Sequence, residues 1–307
     1  MEGDKLLYAA EGGIDVTVTP INGGEISLPE RSFVAPSNFN TSITVPSLSF
    51  LITHPGLEGH GQVQPRHILF DLGLRARLED YTKENQSHLQ SRIPYQLGPG
   101  VAETLRQGGL NPAQIETVIL SHVHYDHHGD PADYPNAQFL LGSGSLSLIN
   151  HGLGASASHQ FFDPDLFRDI ARVEELPDPQ NSGLWKQLGP FERTFDLLGD
   201  ASIFVVDAPG HLPGHINLLC RIGPCKWAYL GGDSCHDVRL LSGECAVATW
   251  QDKGRETCIH LNKVLAEDTI SRIRRLQDLE GLEVEIIMAH DVQWWKKNKG
   301  RSLQVPA

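Results

Sequence analysis

Residues 117–130 read Thr-Val-Ile-Leu-Ser-His-Val-His-Tyr-Asp-His-His-Gly-Asp, a short apolar run that empties into a cluster of metal-binding side chains. Thr117 to Leu120 are β-branched or aliphatic, which predicts a buried strand with Ser121 onward on the loop past its carboxyl end. His122, His124, Asp126 and His127 then offer three imidazoles and a carboxylate within six residues. Neutral imidazole and carboxylate suit zinc and similar first-row cations. So dense a cluster after a buried strand points to a turn folded around an ion rather than to a histidine-rich surface loop.

Upstream, residues 14–19 alternate apolar and polar side chains as a half-buried strand does, and Pro20 to Gly24 should break it. Three prolines between 29 and 46 extend that break into a long loop over 20–46, placed to wrap the rim of a pocket. Ser47 to Thr53 and His67 to Phe70 read as strands, the second ending at Asp71, a carboxylate able to support metal-binding imidazoles from behind. Pro99 begins a helix that Gly108-Gly109 ends, and Asn111 caps a short one leading into the strand at 117.

Downstream, Gln138 to Leu141 is a brief strand. Residues 143–196 look like a pocket-shaping insertion, with a helix over Phe161 to Glu175 started by Asp163-Pro164. Ser202 to Asp207 is a strand feeding Ala-Pro-Gly-His-Leu-Pro-Gly-His (208–215), a stiff loop that presents His211 and His215. Strands at 216–220 and 227–230 pair across Gly223-Pro224, the second ending in Gly-Gly-Asp233. An amphipathic helix over Glu267 to Leu279 precedes a strand at 284–288 that delivers His290.

A chain of 307 residues with 40% hydrophobic content can fill one large α/β domain without staples. Its 38 acidic and 25 basic residues leave a net charge of -13, which repels nucleic acid and anionic membrane surfaces. No signal-like segment and no apolar run near ~20 residues is present, so the expectation is a cytoplasmic protein. Five cysteines without a C-x-x-C pair argue for reduced thiols.

Separate strand ends thus carry His122/His124/Asp126/His127, then His211, Asp233 and His290, and here the sequence resembles the metallo-β-lactamase-fold hydrolase superfamily, whose H-x-H-x-D-H motif and later His, Asp and His occur in the same order. The resemblance covers about residues 45–291 and implies a single α/β (α+β) domain, a four-layer αβ/βα sandwich with a two-metal site at one edge. It implies that His122, His124 and His211 hold one ion, that Asp126, His127 and His290 hold the other, and that Asp233 bridges them. His211 rather than His215 is the ligand by the family's Pro-Gly-His pattern, which leaves His215 structural and His128 an outer or exposed residue. The ions would be two divalent cations, Zn2+ first, with Mn2+, Fe2+ or Co2+ taking the same ligands.

Two such cations sharing a water make hydroxide available near neutral pH for attack on a carbonyl, with Asp126 or a metal-bound water moving a proton to the leaving group. Among the branches, the full ligand set and the Pro-Gly-His-x-Pro-Gly-His loop are most similar to the N-acyl homoserine lactonase group. That implies a lactonase or lactamase acting on a small molecule with a cyclic carbonyl. In those lactonases a tyrosine three residues past the bridging aspartate binds the substrate carbonyl; here His236 stands there and takes the catalytic role. Trp294, Trp295 and Phe161 are candidates for the pocket wall. The rivals are a glyoxalase II-type thioester hydrolase, which would want basic residues that the motifs do not show nearby, and an iron-dependent redox enzyme. A homodimer stays open.

Overall fold

In the computed structural model, which describes residues 7–8, 13–38, 40–56, 64–153, 161–252 and 254–303, one strand already shows how the molecule is layered. Along Ile203–Asp207, Ile203 and Val205 face a core built by both sheets, while Phe204 and Val206 face a second core on the other side. Successive strand side chains point to opposite faces, so a strand apolar at every position must be covered twice.

The first sheet runs, in spatial order, β1 (Thr17–Pro29), β2 (Ser42–His54), β3 (Arg66–Phe70), β4 (Ile115–Ile119), β5 (Gln138–Leu141) and β6 (Val173–Glu175). Its first two pairings are antiparallel and the rest parallel. The second sheet contains β7 (Lys186–Leu188), β8 (Phe191–Asp196), β9 (Ile203–Asp207), β10 (Ile216–Gly223), β11 (Lys226–Leu230) and β12 (Glu283–Ile287). They also lie in chain order, and only the β11–β12 pair is parallel.

Leu48, Phe50 and Ile52 of β2 meet Val205, Leu218 and Leu230 of the second sheet in the shared core. Outside the first sheet, α1 (Lys83–Gln90) is followed by α2 (Val101–Gln107), whose Val101, Ala102 and Leu105 cover Leu51, Leu69 and Val118. Then come α3 (Ser145–His151), α4 (Val238–Ser242) and α5 (Lys263–Gln277), the last laying Ile270, Ile273 and Leu276 over Phe204, Trp227 and Tyr229. The final helix is α6 (Val292–Asn298). The result is the helix–sheet–sheet–helix sandwich that the sequence led us to expect. Among the described residues no helix is long and apolar enough to cross a membrane.

Three expectations need correction. The strand at 14–19 does not break at Pro20: β1 runs to Pro29 and pairs with β2 as far as Ser42, so most of the rim loop expected over 20–46 is sheet. β1 is an edge strand, where a residue without an N–H is tolerated, and its glycines form a β-bulge between Asn22 and Glu25. A Cβ on Gly23 would come within 2.6 Å of Gly73 Cα, so this close approach of two backbones is reserved for glycine.

The segment 143–196 is not a simple insertion either. It supplies β6 to the first sheet and β7 and β8 to the second, carrying the chain from one to the other; residues 154–160 within it lie outside the described residues. No helix forms over Phe161 to Glu175. Asp163 does bond the backbone N–H of Asp165, as a cap would, but its other oxygen pairs with Arg75, and the chain turns through 164–169 into β6.

Candidate metal centre

Strand order decides what the loops can reach. β3 and β4 are parallel neighbours, so Asp71 and the loop from Ser121 leave the first sheet at the same end; β11 and β12 likewise bring out Asp233 and His290 together. There His122 Nε2 lies 2.9 Å and His211 Nε2 3.1 Å from His124 Nδ1. Asp233 Oδ2 stands 3.7 Å from His122 Nε2 and 3.4 Å from His211 Nε2. On the other side, Asp233 Oδ1 is 3.2 Å from both His127 Nε2 and His290 Nε2, and Asp126 Oδ2 is 3.6 Å from His290 Nε2. The ligand atoms of His122, His124, His211 and Asp233 lie within 4.8 Å of one another, as do those of Asp126, His127 and His290.

The outer nitrogens of these rings fix which inner ones carry lone pairs. His290 Nδ1 sits 2.7 Å from the Pro46 carbonyl, which can only accept, so the proton is on Nδ1 and Nε2 is bare. His127 Nδ1 donates to Asp71 Oδ2 at 2.9 Å with the same result. Ser121 Oγ donates to Asp71 Oδ2 at 2.8 Å, leaving its oxygen to accept from His122 Nδ1 at 3.0 Å. Asp71 also accepts the Ser121 backbone N–H at 2.7 Å, and so a single buried carboxylate orients ligands of both groups.

Such an arrangement of lone pairs facing lone pairs and carboxylate oxygens is unfavourable with nothing between them. His127 Nε2 and Asp233 Oδ1 are both buried without a hydrogen bond. Burial holds His122 and His211 neutral, with basicity well below the ordinary imidazole range, the form in which an imidazole can take a metal. For His127 and His290 burial also opposes the charge, but Asp233 foremost outweighs it and raises both, so that a proton competes with a cation for each Nε2. Burial of Asp233 in turn is outweighed by His127, His290 and His236, which keep it ionised. The donor chemistry therefore fits two divalent cations sharing Asp233.

The backbone around Asp233 is equally constrained. Gly232 has φ 47°, and a Cβ there would meet Ser121 Cβ at 2.9 Å. His215 Nδ1 donates to the Ala208 carbonyl at 3.0 Å, while its Nε2 accepts the Asp233 N–H at 3.1 Å. Both nitrogens are thereby occupied and burial lowers its pKa to about 4, in keeping with a structural rather than a ligating histidine. His128 is buried, not exposed; its Nδ1 donates to the Gly129 carbonyl at 2.8 Å, and burial lowers its pKa to about 3.

No family model matches the chain. Cytochrome P450 monooxygenase mpaDE′ of Penicillium brevicompactum is 26% identical over 267 residues, 81% of this chain but 30% of that protein. Gamma-lactamase FDB1 of Fusarium pseudograminearum is 26% identical over 240 residues, 75% of this chain and 55% of the relative. The chain thus spans only 30% and 55% of the lengths of these two relatives. An N-acyl homoserine lactone hydrolase, solved with the product N-hexanoyl-L-homoserine at its catalytic metal centre, superposes with a TM-score of 0.66 at 15% identity, over 93% of this chain and 97% of the other.

The chain has the metallo-β-lactamase fold. The dizinc quorum-quenching lactonase AidC shares it, with a TM-score of 0.55 at 14% identity over 92% of this chain and 91% of the other.

In this metallo-β-lactamase fold the histidine and aspartate cluster opens onto a cleft, with Asp126, Asp233, His236 and His290 in its wall. His236 is there; its Nε2 points at Asp233 Oδ2, 3.0 Å away, and its ring stacks on His290 and Phe33. Phe161 also lines the cleft and is 42% exposed. Trp294 and Trp295 do not line it. They lie on α6 against the shared core, with Trp294 Nε1 donating to Glu285 at 2.9 Å.

Several residues of the site were not singled out from the sequence. Ser121 looked like an ordinary loop residue. His260 belongs to no motif, yet its Nδ1 is 3.3 Å from His211 Nδ1, on a segment tied to the 208–215 loop by the bonds Leu261 N–H to His211 O and Asn262 N–H to Gly210 O. Arg92 lines the cleft as well, so a basic residue does stand near the metal centre.

Proposed function

We propose that the chain is a metal-dependent hydrolase that opens a cyclic ester or cyclic amide, with two divalent cations, Zn2+ first, as its cofactor. The observation that carries this reading is the division of Asp233: Oδ2 faces His122 and His211, Oδ1 faces His127 and His290. His122, His124 and His211 would hold one ion, Asp126, His127 and His290 the other, and Asp233 both. The chemistry that such a pair supplies when bound is Lewis-acid polarisation of a carbonyl and ionisation of water near neutral pH.

The chain's own residues do the rest. Asp126, 6% exposed in the cleft wall, is placed to carry a proton at its carboxylate to the leaving oxygen or nitrogen. His236 steadies Asp233 through Nε2; a hydrogen bond from the same nitrogen to a substrate carbonyl would take its proton from that carboxylate. The lactonase and gamma-lactamase names among proteins similar to this one support the choice of cyclic substrates. A pH-stat screen of zinc-loaded protein against lactones, lactams and thioesters tests it. Acid release from lactones, or the ring-opened amino acid detected by chromatography for lactams whose freed amine takes up the proton, is the expected result, and turnover of thioesters alone, or of none, would overturn it.

A further inference from the structure

One cation at the cleft is not accounted for by the metal centre. Arg92 is half-buried in the wall that also contains Asp126, Asp233 and His290. Its backbone is held at both ends: the N–H donates to Leu89 O at 2.9 Å and the carbonyl accepts the Ser27 N–H of β1 at 3.0 Å. Its Nε donates to His88 Nε2 at 3.3 Å, on the same cleft wall as the Tyr125 side chain. These contacts set the guanidinium in place, and among the described residues they use only part of its five-donor fork.

What Arg92 lacks is a counter-ion. Among the described residues no carboxylate pairs with Arg92, whereas the part-buried Arg75, Arg221, Arg239 and Arg272 each have one and the part-buried Arg274 donates to the Leu240 and Leu241 carbonyls. Holding a half-buried cation in place without a partner is costly unless a ligand provides one. Around it the wall is apolar and aromatic: His88 packs edge-on against Tyr125 at 5.1 Å and tilted against Phe161 at 5.7 Å, with Leu28 and Ile259 alongside.

We propose that Arg92 anchors a carboxylate on the substrate, so that the cleft takes an acidic cyclic ester or amide whose apolar body lies against Phe161 and Tyr125. The proposal rests on the hydrolytic reading above and narrows its substrate class. A planar guanidinium pairs with a carboxylate through two parallel hydrogen bonds, which would set the rest of the molecule at a fixed distance from the metal ligands.

The test uses two lactones identical except that one carries a free side-chain carboxylate and the other its methyl ester, with zinc-loaded wild type, Arg92→Met and Arg92→Lys. The ratio of kcat/KM for acid over ester should fall about tenfold or more in Arg92→Met, as loss of a charge-assisted pair requires, and by less in Arg92→Lys. An unchanged ratio overturns the proposal, including the case in which both substrates lose activity together. Calorimetric binding of the ring-opened acid separates this proposal from the hydrolase reading. If wild type turns over neither lactone yet binds the acid, and Arg92→Met does not, the anchor stands and the hydrolytic reading falls; equal binding by both proteins overturns the anchor.

Discussion

Asp71→Asn isolates the support of the metal centre from the ligands themselves. Asp71 is fully buried and accepts three hydrogen bonds, from Ser121 N–H at 2.7 Å, Ser121 Oγ at 2.8 Å and His127 Nδ1 at 2.9 Å. Its φ of 60° lies in the left-handed region, which asparagine tolerates, so the backbone need not move. The amide has one acceptor oxygen: with its NH2 in the Oδ1 place the Ser121 backbone N–H meets a donor, and with its NH2 in the Oδ2 place both Ser121 Oγ–H and His127 Nδ1–H do. Either way Ser121, which holds the His122 ring, is displaced from its acceptor, and in the second orientation the His127 tautomer is freed as well. Loss of such an outer partner costs roughly 10- to 100-fold in metal affinity, about 1.4–2.8 kcal/mol. Competition with a chelator of known zinc affinity measures it, and the thermal midpoint of the metal-free protein should fall too. Zinc affinity within about twofold of wild type, with an unchanged midpoint, would show that Asp71 is only a turn residue and refute the reasoning.

Metal-free protein should lose stability as pH falls from 6.5 toward 4, because His215 and His128 are neutral when folded, with pKa values lowered to about 4 and about 3, while unfolded imidazoles take up protons near 6.5. In that window the unfolded state binds more protons, so stability rises with pH. The full effect for His215 is about 3 kcal/mol. Urea midpoints across the window measure the slope, and His215→Gln should flatten it; an unaltered slope contradicts the assignment. Trp294→Phe should leave kcat/KM within about twofold while lowering stability by about 1 kcal/mol, the worth of its bond to Glu285; a large change in KM would return Trp294 to the substrate site.

How much of this was legible from the chain alone depends on distance along it. The 122–127 cluster could be read because its ligands are neighbours, and β9 to β12 because they are apolar and bounded by glycine and proline. His211, Asp233 and His290 were found through the order of a known motif, since nothing local distinguishes them from other histidines and aspartates at strand ends. Ser121, His260 and Arg92 owe their places to register and to loops brought together by both sheets, information that a window of sequence does not hold. The twin tryptophans misled because an aromatic pair after a ligand looks the same whether it lines a cleft or caps a sheet. Pro20 misled because a proline that would end a central strand is harmless on an edge.

The central claim is that Asp233 stands between two ions held by seven side chains. Anomalous diffraction from crystals grown with zinc tests it most directly. The account predicts two peaks, one among His122, His124 and His211 and one among Asp126, His127 and His290, with Asp233 between them. A single peak, or zinc bound elsewhere with His290 or His211 uninvolved, would contradict it.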